Sequence, residues 1–332
     1  MDRSPCFLYQ ENEHFSLPPA LRAAKRNVCM FALKDGEGRV LAAPHIFREV
    51  RRPEDAEFFL FPWDIGQYID GGLQDDISAV IAGLPYLAGR EKRHVVCDDG
   101  DFTTAFSPPI LRFKISVTRN IASACIPMPY ALPSHMFGKT PDFNRDGIRF
   151  DTSFVGNLTN LVRKAVTASV RRQAPELRFL LDYDDSFVVA NGYYYNTREG
   201  KDPAKTSARQ QLYRRSLNES LTVLCPPGVG PHSIRLYETM YMGRIPVIFG
   251  DEAVYPLENL IAYDAFCLHI PGDALMDTGS ILNVWLHNQS EDALMKRCVR
   301  ACRTWNTYFA PQKLLGFMLE AAREKAGKLA DL

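Results

Sequence analysis

The stretch that decides the fold is residues 221–251, LTVLCPPGVGPHSIRLYETMYMGRIPVIFGD. An apolar run over 221–225 predicts a strand, and a Pro/Gly loop separates it from a helix over about 233–242. Gly243 can end that helix ahead of a second apolar strand, IPVIF. The stretch therefore predicts one complete βαβ unit with parallel strands.

The start of this helix is a predicted anion site. A helix that begins directly after a Gly-rich turn points backbone N–H groups and the positive end of its dipole into the loop. Ser233 can cap the helix, and Arg235 and Glu238 share one face of its first two turns. An arginine can clamp an anion and a carboxylate can accept from hydroxyls, so a phosphate joined to a sugar suits both. The plainer alternative is a solvated Glu238 and an intrahelical ion pair, worth about 0.2–0.5 kcal/mol.

The composition is that of an ordinary globular protein with room for two domains. The chain has 332 residues, of which 46% are apolar and 23% charged. Lys plus Arg equals Asp plus Glu, at 39 each, so neither nucleic acid nor an anionic membrane surface is favoured as the main partner. Any anion site has to be local.

The same sequence features lead us to expect a cytoplasmic protein. Its 8 cysteines form no CxxC pair and no zinc-type spacing, which favours free thiols in a reducing compartment. The first residues lack the apolar segment of a signal peptide, and no apolar run reaches the ~18 residues that span a bilayer. We therefore expect no transmembrane segment, although peripheral contact with a membrane is left open.

Apolar runs alternate with polar or helical stretches along two parts of the chain. The first, within 1–140, predicts an α/β domain with a largely parallel sheet. Residues 131–150 are rich in Pro, Gly and Asn and carry no periodicity, which is typical of a linker. A second α/β domain is expected over 150–290, and helices over 291–332.

Residues 216–261 contain SIRLYE, then GRIPVI and an acidic residue. This block resembles the signature of the exostosin-type (GT47-like) glycosyltransferases. The segments AEFFLFPWD, IPMPY and SFVGNLTNLVR are similar to other segments of that family in the same order, so the resemblance spans most of 56–320. It implies a GT-B fold, with two Rossmann-like domains, a cleft between them and a C-terminal helix that returns across.

The resemblance also implies an activity: transfer of a sugar from a nucleotide-diphosphate donor, expected to be UDP-linked, to an oligosaccharide, polysaccharide or glycolipid acceptor with inversion. It implies no metal and no cofactor, because a helix N-terminus and an arginine stabilise the leaving diphosphate. Arg235 would pair with the diphosphate, Glu238 would hold sugar or ribose hydroxyls, and Arg163 would be either a second phosphate contact or a surface charge. The implied donor-binding residues are Arg235, Glu238, Ser233, Ile234, Gly156, Arg163, Gly228 and Gly230.

The general base is expected in the first domain. Two strand ends offer candidates: the cluster Asp98, Asp99 and Asp101 in VVCDDGD, and Asp64 in FPWD. Crowded carboxylates raise one another's pKa, a feature of working bases, and Asp99 is our first choice. Acidic turns after strands are nevertheless mostly solvated loop ends. Trp63 could stack on an acceptor sugar or lie in the core.

Two alternatives belong to other classes. Asp182 and Asp184 form a DxD at the end of an apolar strand, where GT-A glycosyltransferases hold Mn²⁺ or Mg²⁺ on a diphosphate. The chain could also be a non-catalytic sugar- or nucleotide-binding protein of the same fold. A dinucleotide enzyme is disfavoured, because GVGPHS lacks the full GxGxxG.

Overall fold

A computed structural model of the protein describes residues 3–24, 27–35, 39–102, 106–132, 141, 143, 145–158, 160–183, 187–190, 193–196 and 203–328. The chain divides into two compact units. Unit 1 comprises Met1–Pro129, Val254–Leu257 and Ala310–Leu332, and unit 2 comprises Tyr130–Ala253 and Glu258–Phe309.

Strands and helices alternate along most of the described chain. The strands are β1 (Ser4–Leu8), β2 (Ala32–Lys34), β3 (Val40–Ala42), β4 (Phe47–Glu49), β5 (Phe58–Asp64), β6 (His94–Asp98), β7 (Leu111–Lys114), β8 (Cys125–Pro127), β9 (Phe150–Gly156), β10 (Phe179–Tyr183), β11 (Phe187–Ala190), β12 (Tyr193–Asn196), β13 (Ser220–Leu224), β14 (Ile245–Phe249) and β15 (Leu268–Ile270). The helices are α1 (Pro19–Ala23), α2 (Gly66–Asp70), α3 (Gln74–Ala82), α4 (Leu161–Gln173), α5 (Pro203–Asn218), α6 (Ile234–Tyr241), α7 (Thr278–His287), α8 (Glu291–Thr304) and α9 (Pro311–Lys328).

Unit 1 is built on a parallel sheet with the strand order β4-β1-β5-β6-β7-β8. Its strand β5, FFLFPWD, is buried along its whole length, as is typical of a strand inside a parallel sheet that is covered on both faces. The last helix, α9, packs against β7 and β8 of this unit. Lys325 of α9 donates to the carbonyl oxygens of Ala122 (3.0 Å) and Cys125 (2.6 Å).

Unit 2 is built on a second parallel sheet, with the order β10-β9-β13-β14-β15. The chain starts at β9, adds β10 on one side and the later strands on the other, so the strand order reverses between β9 and β13. Its core is a layer of apolar side chains between the sheet and α4, including Phe154, Val166, Val170 and Val247. The predicted α/β class and the two Rossmann-like sheets are confirmed.

The predicted βαβ unit is confirmed as β13, α6 and β14. Thr222 of β13 lies opposite Ile245 of β14 in parallel register. Gly243 follows the helix with φ of 63°, a left-handed conformation that glycine adopts without steric cost. Next to it, Arg244 donates to the carbonyl oxygen of Asn218 (3.1 Å) and so satisfies the C-terminal end of α5.

The division into units runs through the predicted helical segment 291–332. Helix α8 belongs to unit 2, whereas α9 belongs to unit 1. In the predicted linker, residues 133–140 lie outside the described residues. None of the helices in the described ranges combines the length and apolar character needed to cross a bilayer.

Candidate functional site

The carboxyl end of β9 lies where the strand order of unit 2 reverses. In open parallel sheets, ligands bind outside the carboxyl ends of the strands at such a reversal. Gly156 ends β9 at this point, and Asn157 follows it. The neighbouring strand β13 runs into the Pro/Gly loop that leads to α6. This edge of the sheet is therefore the candidate ligand site of unit 2.

Three arginines from three helices donate to three consecutive backbone carbonyls at this edge. One comes from α4, one from α5 and one from α6. The pairs are Arg235 Nη2 with Val155 O (2.8 Å), Arg209 Nη2 with Gly156 O (3.4 Å) and Arg163 Nη1 with Asn157 O (3.1 Å). Arg235 and Arg163 were predicted as donor-binding residues, whereas Arg209 was not. The carbonyls fix the guanidinium groups around the end of one strand.

Arg235 is buried, with 6% of its surface exposed. Its guanidinium carbon lies 4.5 Å from the ring centroid of Phe154 and 5.5 Å from that of Tyr213, within the range of cation–π attraction. A Cβ atom on Gly156 would lie 2.8 Å from Arg235 Nη2. Glycine at 156 therefore makes room for the guanidinium, and the structure brings these two predicted residues together.

Glu238 lies one turn along α6 and is also buried, at 3% exposure. The Tyr213 hydroxyl donates to its carboxylate. Burial raises the pKa of Glu238, while the Tyr213 hydrogen bond and the Arg235 charge oppose that rise. The solvated alternative for Glu238 is wrong, because the side chain is enclosed by the unit's own residues. Its predicted contact with donor hydroxyls stays a prediction.

Asn160 and Arg163 fasten the Pro/Gly loop to the start of α4. Asn160 caps the helix by accepting from the Arg163 backbone N–H (2.9 Å), and its amide nitrogen donates to the carbonyls of Pro227 (2.9 Å) and Gly228 (2.8 Å). Arg163 Nε donates to Pro227 O as well (2.9 Å). Arg163 is therefore not a free surface charge, and its contact with a phosphate stays a prediction. A Cβ on Gly228 would lie 3.1 Å from Arg163 Nη2, so glycine gives the guanidinium space.

The remaining predicted donor residues flank this loop. The Ser233 hydroxyl accepts from the Arg235 backbone N–H (3.3 Å), which confirms the predicted cap. Ile234 begins α6 directly after it. Gly230 is buried in the loop. The structure thus places every predicted donor-binding residue near the carboxyl ends of β9 and β13, and their contacts with a donor remain predictions.

Arg209 pairs with Asp182, the first carboxylate of the DxD. Asp182 lies opposite Val155 in the parallel register of β10 and β9, and its carboxylate accepts from Arg209 Nη1. Asp184 lies outside the described residues. Within the part of the chain that the structure describes, no group of three or more His, Cys, Asp or Glu side chains is arranged to hold a metal ion. An arginine thus pairs with one oxygen of the Asp182 carboxylate.

In unit 1 the predicted carboxylates lie at the carboxyl ends of β5 and β6. Asp64 Oδ1 accepts from the backbone N–H groups of Gly66 (2.9 Å) and Asp99 (3.0 Å). Asp64 is buried, whereas Asp99 is exposed. Burial raises the pKa of Asp64 well above its ordinary value, and a hydrogen bond with the Asp99 side chain and the charge of Asp99 raise it further. The structure therefore brings two of the predicted base candidates, Asp64 and Asp99, into one pair.

A buried charge cluster supports the turn that carries Asp99. Its carboxylate, Asp98, was a candidate base but lies in ion pairs, and its cations Arg112 and Lys114 were missed by the sequence analysis. Asp98 is fully buried and accepts from Arg112 Nε (2.7 Å) and Lys114 Nζ (3.1 Å). Lys114, also fully buried, donates to the Gly100 carbonyl as well (2.9 Å). Two cations at alternate positions of the apolar strand LRFK were the signal, because both must face the same side of the sheet.

Asp101 and Trp63 lie beside this pair with partners of their own. The backbone N–H of Asp101 donates to Asp70 Oδ2 (3.0 Å), and its carboxylate accepts from Ser116 Oγ (3.5 Å). Trp63 is buried, with 7% exposed, and Lys34 Nζ lies 5.5 Å from its ring centroid. The core alternative for Trp63 therefore holds. Asp101 as a base stays a prediction.

Comparison with known proteins bears mainly on unit 2. Residues 118–285 match the family model of the Exostosin GT47 domain, which confirms the resemblance seen at 216–261.

Two proteins of Oryza sativa subsp. japonica are similar over part of the chain. "Probable glucuronosyltransferase GUT1" is 32% identical over 72 residues, 22% of this chain and 17% of that protein. A second probable glucuronosyltransferase is 34% identical over 70 residues, 21% of this chain and 17% of that protein. The chain spans less than a fifth of these relatives' length.

Two solved structures are similar at low sequence identity. One is AviGT4, a glycosyltransferase involved in avilamycin A biosynthesis, at 12% identity over 85% of this chain and 83% of that chain, with a TM-score of 0.41. The other is HepE of Anabaena in complex with UDP and glucose, at 10% identity over 84% and 78% of the two chains, with a TM-score of 0.40.

Proposed function

The chain belongs to the exostosin GT47 family, and we propose on this premise that it is a glycosyltransferase. The proposed reaction moves a sugar from a UDP-linked donor to a saccharide acceptor, with inversion and without a metal ion. Because the similar rice proteins are named probable glucuronosyltransferases, UDP-glucuronate is the first donor to test.

The observation that carries the proposal is the group of three arginines around the carboxyl end of β9. A diphosphate carries more than one negative charge at neutral pH, and guanidinium groups bind phosphate oxygens through parallel N–H donors. Here the backbone carbonyls hold the arginines in place before any donor binds. Such preorganised charge is the largest source of transition-state stabilisation in many enzymes.

In the proposed displacement, the acceptor oxygen bonds to the anomeric carbon while the bond from that carbon to the diphosphate oxygen breaks. The electron pair leaves with the diphosphate, where Arg235 and Arg163 stabilise the developing charge together with the N-terminal dipoles of α4 and α6. The hydroxyl proton passes to a carboxylate. Asp99 is our candidate because it is the exposed member of the pair with Asp64.

Calorimetric titration of the full chain with UDP, UMP and uridine tests the donor site. We expect UDP to bind most tightly, with equal affinity in EDTA and in Mn²⁺. Arg235→Gln should weaken UDP by roughly 10- to 100-fold, because a charge-assisted hydrogen bond contributes about 1.5–3 kcal/mol. Failure of the wild-type chain to bind UDP would refute the proposal. Binding that requires Mn²⁺ would favour the metal-dependent alternative.

Turnover of a panel of UDP-sugars with saccharide acceptors tests the chemistry. We expect Asp99→Asn to lower kcat by roughly 10²- to 10⁴-fold, the usual contribution of a general base, while UDP affinity stays unchanged. UDP binding without turnover of any donor in the panel would point to a non-catalytic binding protein. A product of retained configuration would contradict the single displacement.

A further inference from the structure

We propose that Arg209 is a third phosphate-binding residue of the donor site, oriented by Asp182. This inference rests on the proposed function. It adds a residue of α5 to a site that was otherwise built from the Pro/Gly loop and the helices α4 and α6. It also gives Asp182, the first residue of the DxD, a role that needs no metal ion.

Arg209 reaches the site from α5. Its Nη2 lies 3.4 Å from the carbonyl oxygen of Gly156 and 3.4 Å from that of Asp182, and its Nη1 donates to the Asp182 carboxylate. Only 10% of the Arg209 side chain is exposed, against 39% for Asp182. A long cationic side chain is thus held against the end of β9 from two directions. Its guanidinium is a planar fork of N–H donors, a geometry that matches the oxygens of a phosphate.

The charges around the site favour an anion over a neutral ligand. Three arginines contact consecutive carbonyls of one strand end, and like charges at this spacing repel one another at low dielectric. Asp182 offsets one of them. Glu238, which lies beside Arg235, can offset a second. Among the described residues, three arginines therefore face two carboxylates at this edge, and a diphosphate would neutralise the positive charge that remains.

Gly156 lets a phosphate reach this edge. The carbonyl that Arg209 contacts belongs to a residue without a side chain, so a ligand can approach the backbone closely. The first turn of α4 follows, and its N-terminus favours negative charge. Arg209 and Arg235 would then bind the same diphosphate from the two sides of Gly156.

The decisive variant is Arg209→Gln, with Arg215→Gln as its matched control. Arg215 lies on the same helix and is exposed, where it pairs with Glu219 at 2.8 Å, so both variants lose one positive charge from α5. We expect Arg209→Gln to weaken UDP by roughly 10- to 100-fold in calorimetry, UMP less, and uridine not at all. Arg215→Gln should bind all three like the wild-type chain, and Arg209→Lys should be intermediate, because lysine keeps the charge without the fork.

The outcomes separate this inference from the proposed function. If Arg235→Gln weakens UDP and Arg209→Gln does not, the role of Arg209 is refuted and the donor site stands. Equal loss of uridine and UDP in Arg209→Gln would show a structural role and overturn the inference too. If the wild-type chain binds none of the three ligands, both proposals fall. Thermal melts establish whether each variant is folded. If Arg209→Gln does not fold, the UDP affinity of Arg209→Lys tests the inference instead.

Discussion

At the scale of single residues, Asp64 and Asp99 form a pair of carboxyl groups that differ in burial. The Asp64 side chain is 6% exposed and accepts two backbone hydrogen bonds on the same oxygen. Asp99 lies exposed beside it. Burial raises the pKa of Asp64. We therefore expect Asp64 to keep its proton to a higher pH than an ordinary carboxyl group does.

Asp64→Asn tests this assignment through pH. Because the folded state raises the pKa of Asp64, its stabilising contribution is complete below the unfolded pKa near 4 and is lost as pH rises through the folded pKa. Asparagine mimics the protonated form and keeps the oxygen that accepts from Gly66 and Asp99. We expect the variant to be more stable than the wild-type chain at pH 8 and equal to it at pH 4. Denaturant melts across this range measure the difference, and a wild-type advantage at pH 8 would contradict the raised pKa of Asp64.

Local sequence patterns could identify the residues of one motif but not their distant partners. Arg235 and Ser233 were predictable because the Pro/Gly loop, the capping serine and the arginine lie within a few residues of one another in the sequence. Arg209 was not, since its contact with Gly156 joins residues 53 apart along the chain, and no periodicity specifies which strand end a helix residue will meet. The same holds for Asp98, whose buried partners Arg112 and Lys114 lie on another strand.

At the scale of elements, the N-terminus of α4 and the Pro/Gly loop behave as one piece. Asn160 caps the helix with its oxygen and donates to the carbonyls of Pro227 and Gly228 with its nitrogen. A single side chain therefore satisfies a helix end and fixes the loop that leads to α6. The βαβ unit itself was predictable from local signals. The link between the start of α4 and the Pro/Gly loop was not, because it depends on strands β9 and β13 being neighbours in the sheet.

Asn160→Ala separates the two roles when it is compared with Ser290→Ala. Ser290 caps α8 by accepting from the Ala293 backbone N–H at 3.2 Å. Loss of either cap should cost about 0.5–2 kcal/mol of stability. Only Asn160→Ala should also weaken UDP, by several-fold, because the loop beside the arginines is released. Thermal melts and UDP titrations of both variants provide the measurement. Equal UDP affinity in the two variants would show that the loop holds its position without Asn160.

At the scale of the whole molecule, the chain contributes to unit 1 from both ends. Its C-terminal segment, Ala310–Leu332, belongs to unit 1, while the preceding α8 belongs to unit 2. The resemblance to the family implied a returning C-terminal helix, but the composition of 291–332 showed only amphipathic helices. An apolar stripe specifies that a helix face will be buried and not which sheet will bury it. This explains why helix content was predictable and the assignment of α8 and α9 to different units was not.

Removal of α9 should therefore destabilise unit 1 and leave the donor site intact. Met318 and Ala322 of α9 are fully buried, and Arg323 forms an ion pair with Glu57 at 2.5 Å. Burial of each large apolar side chain contributes about 1.5–3 kcal/mol, so a chain that ends at Phe309 should lose several kcal/mol of unit 1 stability. Calorimetric unfolding should show an earlier transition that UDP does not shift, while the UDP affinity of the folded protein stays within about twofold of the full chain.

Arg323→Gln is the control for this truncation. It removes only a half-exposed ion pair and should change stability by less than about 1 kcal/mol. Loss of UDP binding in the shortened chain at temperatures where unit 2 remains folded would show that the donor site depends on unit 1.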